Sequence, residues 1–168
     1  EWISGFTGSA GTVVVTHEKA GLWTDSRYFL QADRQLKNSG IELYKEMLPE
    51  TPTIPAFLSA NLNHGDTVGI DGEVFSVEEV RQLEKLLLKN NIFVKNISDP
   101  MNSIWADRPA MPEEPGFVYP TKHAGKTPRE KLTAIRTEME KNGADALLGS
   151  SLDEIAWTLN IRGNDVHC

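Results

Sequence analysis

Arg27 and Arg162 are the side chains of this sequence best suited to gripping a substrate. Arg27 stands in the string Asp25-Ser26-Arg27-Tyr28, at a junction between an apolar run and a helical pattern. Arg162 opens the Gly-containing loop Arg162-Gly163-Asn164-Asp165. A guanidinium presents a planar fork that can hold a carboxylate or a carbonyl at two points. Each arginine also has a plain alternative, an internal pair with Asp25 or with Asp165 that fastens its own loop. Arg27, Tyr28, Arg162 and Asp165 are therefore the candidate cleft residues, with both readings open at this level.

Other chemistry finds less support. His17, His64, His123 and His167 are scattered, with neither His-x-His nor His-Glu-x-x-His spacing to place two of them on one ion. No metal site is expected within the chain. The glycine-spaced loop at residues 5–11 resembles a phosphate cradle, but it lacks the Gly-x-Gly-x-x-Gly spacing and precedes a strand instead of opening a helix. A tight bend, or a backbone lining for a cleft, is the expectation there. No Gly-x-Ser-x-Gly elbow occurs, and Cys168, the sole cysteine, has no evident base beside it, so no catalytic nucleophile is expected.

Composition narrows the partners. With 24 acidic and 17 basic residues the formal charge is −7, which repels phosphate backbones and anionic lipid, so neither nucleic acid nor membrane is an expected partner. No apolar run approaches the ~20 residues that cross a bilayer. A single cysteine cannot make an internal disulfide, and with no secretory-type leader a reducing intracellular compartment is the default. The chain begins at Glu1 inside what reads as an ordered segment and stops just after a motif-like stretch. A fragment of a larger protein is the expectation.

The elements that must position these residues follow from periodicity. Val13-Val14-Val15-Thr16 and Leu22-Trp23-Thr24 read as a hairpin. Asp25 or Ser26 is placed to cap a helix whose Phe29, Ala32 and Leu36 form one stripe. A strand at 41–44, a helix at 54–62 and a strand at 67–71 come next. Ser76 with Glu79 then marks a capping box for a helix carrying Val77, Val80, Leu83 and Leu87 on one face, followed by a strand at 92–94. Residues 107–126, with Pro109, Pro112, Pro115 and Pro120, read as an interdomain linker. Beyond it, Thr127-Pro128-Arg129-Glu130 opens a second capped helix with Leu132, Ile135 and Met139 on its buried face. A strand at 144–148 and a third capping box, Ser151 with Glu154, complete the pattern. Alternating strands and helices imply an α/β fold, a mixed β-sheet flanked by helices. The expected division is a first domain at 1–106, a linker at 107–126 and an incomplete second domain at 127–168.

Four strings together resemble a known family. Trp2-Ile3-Ser4-Gly5-Phe6-Thr7-Gly8-Ser9-Ala10-Gly11-Thr12, Trp23-Thr24-Asp25-Ser26-Arg27-Tyr28-Phe29-Leu30-Gln31-Ala32, Ile104-Trp105-Ala106-Asp107-Arg108-Pro109, and Leu152-Asp153-Glu154-Ile155-Ala156-Trp157 with Asn160-Ile161-Arg162-Gly163-Asn164-Asp165-Val166 are similar to the X-prolyl aminopeptidase (aminopeptidase P) family. The resemblance is to its long, three-domain, cytosolic eukaryotic form. It implies an exopeptidase that releases the N-terminal residue from peptides with proline second, active as a homodimer in the cytoplasm. It also implies two creatinase-type N-terminal domains ahead of a catalytic domain. That last domain would hold two divalent ions, manganese most often, on Asp, Asp, His, Glu and Glu ligands. The motifs that carry those ligands do not occur in this chain, so the resemblance makes it a non-catalytic N-terminal region that caps the active-site cleft and supports subunit contacts, inactive and metal-free alone.

Two other readings compete with this one. A peptide-binding pseudo-aminopeptidase module of a histone-chaperone type would use the same fold without the metals. A creatine or dipeptide hydrolase of the same superfamily is a weaker candidate, because the Trp23 to Ala32 string argues against it.

Overall fold

A β-branched run and an apolar run around Gly21 build the first hairpin of the computed structural model, which describes residues 1–164. Strand β1 (Thr12–Val15) pairs antiparallel with β2 (Ala20–Thr24), Val13 opposite Leu22. Helix α1 (Phe29–Gln35) then carries the chain to β3 (Glu42–Lys45), which pairs parallel with β2, Leu22 opposite Leu43. A parallel neighbour requires such a crossover. The result is a three-stranded mixed sheet in the order β1-β2-β3.

β2 is paired along both edges and packed on both faces, which is why it reads as a continuous apolar run. On one face Leu22 packs with Phe6, Ala32 and Leu36, flanked by Val13, Tyr28, Ile41 and Leu43. On the other, Trp23 lies flat on Tyr44 with ring centroids 4.0 Å apart, and Phe57 meets both rings edge-on. The Trp23 indole donates to the Pro52 carbonyl at 2.8 Å, so its burial leaves no orphaned donor. Gly21 is required here, since a Cβ would come within 2.6 Å of the Tyr44 ring and 2.8 Å of the Trp23 ring.

Helix α2 (Ile54–Asn61) leads to β4 (Thr67–Ile70), and α3 (Val77–Leu87), extended by a 3-10 turn at Leu88–Asn90, leads to β5 (Phe93–Asn96). β4 and β5 pair in parallel, Val68 opposite Val94. Leu58, Leu87 and Ile92 form the core beneath them, with Val14, Val68, Leu83 and Val94 around it. The α3 capping box forms as expected: the Ser76 hydroxyl accepts from Glu79 N, and Ser76 N donates to the Glu79 carboxylate at 2.8 Å. After the short helix α4 (Met101–Ile104), Trp105 stacks on Trp2 at 5.1 Å. Residues 1–106 make one compact unit and residues 107–168 a second.

The second unit holds β6 (Phe117–Val118), α5 (Thr121–Ala124), α6 (Pro128–Lys141), α7 (Leu152–Leu159) and β7 (Ile161–Arg162). β6 and β7 pair antiparallel, Phe117 opposite Arg162. The Thr127 capping box of α6 is complete, with Pro128 in its first turn.

Four expectations differ from what is observed. α1 has no side-chain cap, because the Asp25 carboxylate is taken by Arg27. Val77 is exposed at the start of α3, so the buried stripe there begins only with the half-buried Val80. Residues 144–148 form no strand, since a strand exists through ladder bonds and none of the described strands pairs with them. Ser151 makes no side-chain cap, although Asp153 and Glu154 still place negative charge in the first turn of α7. The stretch read as a linker also carries structure: residues 117–118 are strand and 121–124 helix, while 107–116 hold no regular element. An aromatic and a β-branched residue between Pro115 and Pro120 suffice for a two-residue strand where β7 offers a partner.

Candidate functional site

In the first unit, Arg27 and Tyr28 sit where β2 passes into α1. The Arg27 Nε and Nη2 donate to the two Asp25 carboxylate oxygens at 2.9 and 2.7 Å, and Arg27 N donates to the same carboxylate at 3.0 Å. The fork thus has one edge fixed, its Nη1 bonds to none of the described residues, and the side chain stays 65% exposed. Hydrogen bonding to Arg27 holds the Asp25 carboxyl below the usual carboxylate range, and Asp25 in return raises the guanidinium. Arg27 also lies over the Tyr28 ring, 5.2 Å from its centroid. The Tyr28 hydroxyl is 2.6 Å from that of Ser9, a bond that pulls the phenol below its ordinary value.

The glycine-spaced loop is a bend that serves this corner. Phe6 is buried in the core and meets Tyr28 edge-on. Thr7 is tied to α1 by Gln31 and Gln35: its amide donates to Gln35 Oε1 at 3.1 Å, and its hydroxyl accepts from both side-chain amides. Beyond Ser9 the Thr24 hydroxyl donates to the Ala10 carbonyl at 2.6 Å, so Ser9 reaches Tyr28 from a loop fastened on both sides. Sequence reasoning missed Ser9, and the signal for it was only its place among the glycines.

In the second unit, Arg162 serves the end of α7. Its Nη1 donates to the Ala156 and Ile161 carbonyls at 2.9 and 2.7 Å, and its guanidinium lies 4.6 Å from the Tyr119 ring centroid. Asp165, its expected neighbour, lies outside the described residues, as do His167 and Cys168. Sequence reasoning also missed Lys131 and Asn160, which are buried beside it. The Lys131 ammonium donates at 2.7 Å to the Trp157 carbonyl and to Asn160 Oδ1. An available signal was a lysine sharing a helical face with Ile135. The candidate residues thus divide between the units, Arg27 and Tyr28 in one and Arg162 in the other.

Among the described residues no three His, Cys, Asp or Glu side chains converge as a metal site, so this part of the chain offers no donor set for a divalent ion. No helix among them is long and apolar enough to cross a membrane.

The α/β architecture and the two-unit division agree with what comparison finds. Two family models, both described as the Creatinase/Prolidase N-terminal domain, match residues 1–104 and 107–168. The chain belongs to the family of creatinase/prolidase N-terminal domains. It is 43% identical over 98% of its length to aminopeptidase P2 of Arabidopsis thaliana, and 41% identical over 99% to Xaa-Pro aminopeptidase 1 of Dictyostelium discoideum. It spans 24% and 28% of those proteins, about a quarter of the length of the relatives it matches. Among solved structures, 98% of it superposes on 27% of the X-prolyl aminopeptidase of Caenorhabditis elegans, with a TM-score of 0.80 at 33% identity. That protein is a cytosolic enzyme with a di-nuclear active site.

Proposed function

We propose that this chain is the non-catalytic N-terminal region of a metal-dependent X-Pro aminopeptidase, which releases the N-terminal residue from peptides with proline second. The observation that carries this reading is end-to-end similarity to aminopeptidases P, over only about a quarter of their length. Two divalent ions, manganese by preference, would bind in the remainder of the protein. The described residues of this chain offer no donor set that fits them. The protein works in the cytoplasm as a homodimer, and the division is a first domain at 1–106 followed by part of a second that opens with the irregular stretch 107–116. The relatives being peptidases favours an enzyme over a peptide-binding pseudo-enzyme.

The region's role is to cap the cleft and support subunit contacts. Arg27 is the residue best built for contact with substrate: Asp25 sets its orientation, Tyr28 supports its plane, and Nη1 remains for a peptide carbonyl or carboxylate. Tyr28, Arg162 and Asp165 are the other candidate substrate contacts of the whole protein.

Hydrolysis of an X-Pro peptide with manganese present tests this reading. The whole protein should release the N-terminal residue and this chain alone should not. In the whole protein, Arg27→Ala should lower kcat/KM by about tenfold or more, with an unchanged melting temperature. Metal-dependent turnover by the purified chain would overturn the non-catalytic assignment. A lowered melting temperature with intact kinetics would restrict Arg27 to fastening its own loop.

A further inference from the structure

Lys131 occupies a place that its own helix does not favour. It lies in the first turn of α6, where the macrodipole disfavours a cation, and it is 2% exposed. A buried ammonium needs a specific compensation, and the compensation here comes from α7. That helix has no basic residue in its last turn. Lys131 supplies the missing charge from outside, donating to the Trp157 carbonyl at 2.7 Å with its ammonium 4.3 Å from the Trp157 ring centroid.

Its second bond reaches the turn itself. Asn160 ends α7 in the left-handed region, φ 52°, and is 2% exposed. Each of its polar groups is engaged: Oδ1 accepts from Lys131 at 2.7 Å, Nδ2 donates to the Lys126 carbonyl at 2.9 Å, and its carbonyl accepts from Tyr119 N at 2.7 Å. Tyr119 is the ring on which Arg162 rests. Lys131 therefore reaches both the strand that bears Arg162 and the aromatic platform beneath its guanidinium, in each case through Asn160.

We propose that Lys131 is a positioning residue for Arg162, fixing the Asn160 turn and with it the place of the guanidinium. Its consequence for catalysis rests on the assignment of Arg162 to the substrate contacts, made above.

A double-mutant cycle in the whole protein, read with an X-Pro peptide, tests the proposal together with hydrogen exchange of the Tyr119 amide. Lys131→Met and Arg162→Ala should each lower kcat/KM about tenfold, and the double variant should be no worse than the poorer single one, because one residue acts through the other. Lys131→Met should also speed exchange of the Tyr119 amide about tenfold, while Arg162→Ala leaves it within about twofold. Lys131→Arg, which keeps the cation, should recover kcat/KM to within about threefold. Should Lys131→Met fail to fold, Asn160→Gly cuts the same link while keeping the left-handed turn, and should give the same two changes. Losses that multiply in the double variant, or Tyr119 exchange indifferent to both Lys131→Met and Asn160→Gly, would overturn the proposal. Faster Tyr119 exchange with kinetics unaffected by Arg162→Ala would keep the positioning role and remove Arg162 from the substrate contacts.

Discussion

Tyr44 lies flat on Trp23, and its hydroxyl donates to the Glu42 carboxylate at 2.8 Å. Burial first, and then the carboxylate that accepts its proton, push the phenol up to about 12 from an ordinary value of 10.0. The folded chain thus holds this proton more tightly than the unfolded one, and the linked stability is fully present below pH 10. It falls as pH rises from 10 to about 12, since the unfolded state ionises first. The melting temperature of the native chain should accordingly drop towards that of Tyr44→Phe across this window, in circular dichroism melts of both. A constant gap between the two would contradict the assignment. The Glu42 partner lies two residues away, but nothing local marked the burial that matters most for Tyr44, because its packing comes from residues 21 and 13 positions away, Trp23 and Phe57. Arg27 differs in that its whole internal pairing, with Asp25 two residues distant, was legible at once.

At the scale of elements, two capping boxes were legible for the same reason. Ser76 with Glu79 and Thr127 with Glu130 are complete within four residues, and both glutamates sit below their ordinary pKa. Bonding to the Ser76 hydroxyl lowers the first, and bonding to the Thr127 backbone amide lowers the second. Ser76→Ala and Thr127→Ala should each cost about 1 kcal/mol in urea titrations, and Ser151→Ala only a few tenths, since Ser151 makes no cap bond. The capping contribution is present above the ordinary carboxyl pKa and is lost as pH falls through the lowered values. Equal losses at all three positions would show that the sequence pattern, and not the bond, decides stability. Residues 144–148 show where local reading ends. Ala144, Asp145 and Ala146 carry little strand propensity, and a strand also requires a paired neighbour, which no local string supplies.

For the molecule as a whole, the opening stretch of the second unit is the informative feature. Residues 107–116 hold no regular element, whereas 117–118 are paired to β7 and 121–124 are helical. A glutamate-specific protease, which can cut after Glu113, and a less selective protease at low concentration should therefore cut first within 107–116, and later within α3, whose Leu87 is fully buried. Mass spectrometry of the first fragments reads the site directly. First cleavage within Val77–Leu87 would place the weakest point inside the first unit and contradict this order.

The sequence by itself determined the α/β alternation, the hairpin, the two complete capping boxes and the resemblance that assigns the family. Those features depend on neighbours within a few residues or on strings read in order. It also put Arg27 and Tyr28 forward together, since they are adjacent. Tertiary structure decided the rest. It gave Tyr28 its bond to Ser9, set Trp23 between Tyr44 and Phe57, and left residues 144–148 unpaired. It also buried a lysine at the end of a helix 26 residues away, where Lys131 meets Trp157 and Asn160. A buried ammonium is tolerated only where carbonyl oxygens converge on it, and that convergence is a property of the packed helices rather than of any local string.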